Sequence, residues 1–110
     1  MKINILGSEW EIIETTDSEH PELENSDGWC GTYVRKILVE SNLFADSPKT
    51  DLSEQAKPIR KKDLLRHEII HAFVRESGAQ HSILDNEFCV HWIALMFPKM
   101  LKLFEETGAL

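Results

Sequence analysis

The stretch Leu64-Leu65-Arg66-His67-Glu68-Ile69-Ile70-His71-Ala72-Phe73 decides how the rest of the chain is arranged. It contains His-Glu-x-x-His. Positions four apart share one helix face, about one turn from each other. His67 and His71 can therefore turn two imidazole nitrogens to one metal ion. Glu68 stands about 100° round the axis from His67. That sets it beside such an ion rather than on it, where its carboxylate can take a proton from water. Leu64 to Val74 has no Gly and no Pro and reads as uninterrupted helix. It is apolar nearly all round, and such a helix is buried. Two histidines and a glutamate there need a polar partner, and a metal ion, zinc above all, supplies one. The plainer alternative is a pair of core histidines satisfied by neighbouring side chains. Chance produces such a match about 0.03 times in a chain of this composition.

Outward from the helix, the chain divides. Ile3 and Ile5, then Trp10, Ile12 and Ile13, read as two short strands separated at Gly7-Ser8. Thr15 to Gly28 is an acidic loop, with His20 exposed in it. Trp29 to Glu40 reads as a hairpin bent near Tyr33–Lys36. Asn42 to Asp51 is a loop, and a helix begins between Asp51 and Pro58. It runs to about Ser77, where Gly78 stops it. Asp85 or Ser82 caps a last helix, which Pro98 kinks or restarts. These elements predict an α+β fold in one domain, with strands and loops over residues 1–56 and helices over 57–110.

A catalytic zinc takes three protein ligands and leaves a position open. The two histidines supply two of them. Val74 and Ser77 stand where the metzincin pattern needs Gly and His, so that pattern fails. Glu87 opens the following helix sixteen residues after His71, and a short connector lets the two helices pack antiparallel. Glu87 is the favoured third ligand, with His91, His81 and Asp85 as alternatives. His91 lies one turn from Glu87 on the same face. It is a candidate to hydrogen-bond a ligand or an oxyanion.

The 110 residues carry a formal net charge of −7, which opposes binding to phosphate backbones and anionic membranes. Eight carboxylates and no Lys or Arg lie between Glu9 and Asp27. No apolar run reaches membrane-spanning length. Cys30 and Cys89 have no metal-site or redox spacing. A soluble, cytoplasmic, reducing setting is expected.

The run Leu65 to Gly78, together with Trp92-Ile93-Ala94-Leu95-Met96-Phe97-Pro98-Lys99, resembles small zinc metallopeptidases of bacteriophage and prophage genomes. It is more distantly similar to minimal gluzincins and to peptidases that cleave phage repressors. The resemblance covers roughly Lys57 to Lys99. It implies that Glu87, eleven residues before Pro98, binds zinc. Many gluzincins have Asp where this chain has His91. The resemblance also implies a small twisted sheet above the signature helix, with an edge strand lining the cleft; Arg35–Glu40 is assigned to that strand. An extended peptide would add to it by main-chain pairing.

The expected activity is zinc-dependent peptide hydrolysis. Glu68 is the general base, zinc the Lewis acid, and Tyr33 and His91 are candidate oxyanion donors. The expected partner is a protein or peptide substrate, with no nucleic acid and no membrane; oligomeric state is left open. The alternative is a non-catalytic zinc-binding regulatory or interaction module, in which a metal staples a modest core.

Overall fold

The computed structural model describes residues 1–43 and 56–110. The loop expected over Asn42–Asp51 lies, from residue 44 on, outside the described residues. The fold is α+β: a mixed four-stranded sheet packed against two helices.

β1 (Lys2–Ile5) and β2 (Ser8–Thr15) form an antiparallel hairpin. Its two-residue turn has positive φ at both Leu6 and Gly7, 51° and 91°. Such turns match the twist of the strands they join. Asn4 Oδ1 accepts the Gly7 N–H at 2.9 Å. β3 (Gly28–Gly31) and β4 (Lys36–Glu40) form the second hairpin, bent over Thr32–Arg35 as expected.

The strand order is β1-β2-β4-β3, with β2 and β4 parallel. This corrects the expected edge strand. β4, which holds the Arg35–Glu40 region, is interior to the sheet. Its second side is taken by β2, which pairs Ile12 with Ile37 and Glu14 with Val39. The edge is β3.

One face of the sheet carries Ile5, Trp10, Ile37 and Val39, all buried. α1 (Ala56–Glu76) lies against this face through Leu64 and Ala72. Trp10 and Ile37 are fully enclosed, and each such burial contributes about 1.5–3 kcal/mol. The far end of α1 is fastened to the sheet through Glu76. Its carboxylate accepts from Trp10 Nε1 at 3.2 Å and from two Arg35 nitrogens at 3.2 Å each. On the opposite face, the 3-10 turn Pro21–Leu23 packs on β3 and β4 and buries Leu23.

α2 (Glu87–Thr107) runs back along α1. Its cap is Asn86, whose side chain accepts the Phe88 N–H at 2.8 Å. Ser82 instead caps the 3-10 turn Ile83–Asp85. The helix continues through Pro98 without interruption, because the carbonyl that Pro98 deprives of a partner receives a donor from α1. Val90 and Ala94 are its buried positions. Among the described residues, no helix is long and apolar enough to cross a membrane.

Candidate metal centre

Helical spacing on α1 and a short connector bring three of the expected residues together. His67 Nε2 lies 2.8 Å from Glu87 Oε2, and His71 Nε2 lies 2.8 Å from Glu87 Oε1. Donor atoms of His67, His71 and Glu87 all fall within 4.8 Å of one another. The imidazoles meet edge-on, with centroids 4.9 Å apart. Burial pulls the His67 pKa down, against the pull of Glu87, so the neutral, ligating form is favoured.

The donor chemistry fits a cation. His71 Nδ1 lies 2.7 Å from Asp85 Oδ1. Burial would raise the Asp85 pKa, but the hydrogen bond from His71 and the Arg75 guanidinium hold it below the usual carboxylate value. Asp85 is thus an acceptor, and His71 donates through Nδ1. In the neutral ring the other nitrogen, Nε2, then carries the lone pair. That atom is shielded from solvent and makes no aligned hydrogen bond among the described residues, although Glu87 Oε1 is close by. A lone pair facing a carboxylate is repulsive unless a positive centre, a proton or a metal ion, lies between them. A carboxylate behind a ligating histidine is the usual support for a bound metal.

Glu68 is buried beside this trio. Burial, with some help from the Glu87 charge, pushes its pKa up to about 7, while His71 and Arg75 work in the opposite direction. The strand wall is β3, and at Gly28 any side chain would force its neighbours to shift. A β-carbon on Gly28 would fall 2.7 Å from Glu68 Oε1 and 2.9 Å from Leu64 Cδ1.

The trio opens into a cleft of about 750 Å³, walled by Ser26 to Cys30 on one side and reaching His91 on the other. Arg60 joins the two walls, 3.5 Å from Asp63 and 3.9 Å from Asp27. The outer edge of β3 faces this space. Glu40 N–H donates to Asp27 O at 2.8 Å, so alternation turns the backbone groups of Gly28 and Cys30 outward. Both carbonyls are occupied: Ser26 Oγ donates to Gly28 O and Arg75 Nη1 to Cys30 O, each at 2.7 Å. Burial pushes the Cys30 thiol up to about 12, which leaves it protonated and inert. Both cysteines are free.

The remaining candidates separate. His91 is exposed and lines the cleft, its ring 6.4 Å from that of His67. Tyr33 does not line the cleft: it sits on the β3–β4 turn, 99% exposed. This corrects its candidacy as an oxyanion donor, because the hairpin that carries it points its tip into solvent. His81, exposed on the connector at φ 68°, is also outside the cleft. His20 is half-buried and bonded to Thr15 Oγ1 at 2.7 Å.

Sequence reasoning did not give Arg75, Gly28 or the supporting role of Asp85. Arg75 had one readable signal, its place one turn beyond His71 on the same face. The chain matches no protein-family model, no characterised protein and no solved structure, and its chemistry is read from the site itself.

Proposed function

We propose that this chain is a zinc-dependent peptidase. The observation that carries the reading is the convergence of His67, His71 and Glu87 on one point, with the His71 tautomer set by Asp85 and the Glu68 carboxyl buried alongside. A zinc ion held by those three residues would polarise a carbonyl and bring the pKa of water toward about 7.

The protein's own groups account for the proton. Glu68 accepts it from the attacking water and passes it to the leaving amine as the carbon–nitrogen bond breaks. In the metal-free chain burial raises its pKa to about 7, the range of a group that takes and returns a proton near neutrality. Gly28 lets the strand wall close on that carboxyl and keep it dry. The cleft beside β3, about 750 Å³, is open to solvent, as a non-catalytic staple would not need it to be.

The test pairs metal content with turnover. One zinc per chain is expected in the parent and in Glu68→Gln, with hydrolysis of a quenched-fluorescent peptide library by the parent alone. Zinc in both with hydrolysis in neither leaves the non-catalytic zinc module. No zinc under zinc-replete conditions removes both readings.

A further inference from the structure

We infer that Arg75 is a positioning residue for the metal site, acting through Asp85 and linking the ligands to strand β3; this rests on the zinc reading above. Arg75 lies one turn beyond His71 on α1. Its Nε donates to Asp85, 3.3 Å from Oδ1 and 3.2 Å from Oδ2. Its Nη1 donates to the Cys30 carbonyl at 2.7 Å. One planar guanidinium therefore holds three segments: α1, the turn before α2, and the outer side of β3.

Asp85 needs that hold. It ends a one-turn 3-10 helix whose other residues, Ile83 and Leu84, are 75% and 51% exposed. Little packing fixes the turn, yet the Asp85 side chain is only 11% exposed and accepts from both His71 and Arg75. The two contacts on its carboxylate are what orient it. The Asp85 carboxylate in turn sets the His71 ring. Glu87 follows two residues later, with a side chain 76% exposed, so its approach to the histidines depends on where the turn sits. Arg75 thus places two of the three donors without touching any of them. A lysine cannot replace it, because one ammonium cannot lie against both Asp85 oxygens and Cys30 O.

The experiment measures zinc affinity of the full chain by chelator competition, with the cobalt(II) visible spectrum as a report on ligand geometry. Variants are Arg75→Met, Arg75→Lys, Asp85→Asn and the Arg75→Met/Asp85→Asn double. Circular dichroism and urea unfolding of the metal-free chains separate folding from binding. Arg75→Met is expected to weaken zinc by about 10- to 100-fold and to alter the cobalt spectrum, with Arg75→Lys recovering only part. On the Asp85→Asn background, Arg75→Met should cost no more than about threefold further. Folded Arg75→Met and Arg75→Lys chains that bind zinc like the parent would overturn the inference and leave the peptidase reading intact. Full additivity with Asp85→Asn would also overturn it, since Arg75 would then act by another route. If Arg75→Met does not fold, Arg75→Lys and its double with Asp85→Asn carry the same comparison. A parent chain that takes up no zinc removes the reading and the inference together.

Discussion

Arg66 Nε donates to the carbonyl of Ala94 at 2.7 Å. Ala94 stands four residues before Pro98, so this is the carbonyl whose helical partner proline abolishes. A side chain from α1 replaces the missing N–H, and α2 passes its proline unbroken. The same bond fixes how far α2 slides along α1, and therefore where Glu87 meets the histidines. Arg66→Met is expected to lose about 1–3 kcal/mol in urea unfolding, the cost of an unsatisfied buried carbonyl. Pro98→Ala should recover most of that loss in the double variant by restoring a backbone donor. If Pro98→Ala gives no recovery, the loss arises from packing and this account of the helix fails.

Gly28 and Glu68 form a contact with no spare room. Gly28→Ala would place a methyl group 2.7 Å from the carboxylate and 2.9 Å from Leu64. Overpacking of this kind costs about 1–3 kcal/mol, and the carboxylate must move to relieve it. The expected outcome is a lower unfolding midpoint together with a larger proportional loss of peptide hydrolysis. Unchanged stability would show that the strand yields freely there.

Glu68→Gln should keep zinc and lower turnover by about 10²- to 10⁴-fold, the usual range for a general base. In the metal-free chain the same carboxyl has a readable effect on stability. Its folded pKa is raised from 4.5 to about 7. The folded state therefore holds a proton that the unfolded state has released, and stability falls as pH rises from about 4.5 to 7. His67 works against this: its lowered pKa removes stability as pH falls through and below 6.5. The difference between parent and Glu68→Gln isolates the first effect. That difference should change across pH 5 to 7 by up to about 3 kcal/mol and then level off. A pH-independent difference would place Glu68 in water rather than in the wall.

Leu6 occupies the left-handed region at φ 51° and is 56% exposed. It incurs conformational cost and gains little burial. Leu6→Asn, a residue tolerant of that region, is expected to raise stability by about 0.5–1 kcal/mol, measured by urea unfolding with activity unchanged. A lower midpoint would mean that Leu6 packs against something more than solvent.

The legible parts of this fold are those written in local periodicity. The signature helix, the two hairpins and the approach of Glu87 follow from spacings within one helix or across one short connector. Pairing between distant segments was not legible. β2 joins β4 in parallel after twenty intervening residues, with β3 placed outside. No local pattern distinguishes that order from one in which β4 is the edge. Tyr33, the lone tyrosine, offers an oxyanion donor by its chemistry alone, and turn geometry puts it in solvent. Arg75 and Asp85 look like ordinary surface charges at a helix end and a connector. Only the fold makes them neighbours.

β3 is an edge strand by topology, but its outward carbonyls are already engaged. Over Gly28 to Cys30 both outward carbonyls already have donors, one from Ser26 and one from Arg75. A foreign strand laid along it would have to share each of those carbonyls with the donor already there. Sheet growth by copying needs both halves of the ladder. The arginine that braces the cleft therefore also makes this edge a poorer template for strand addition.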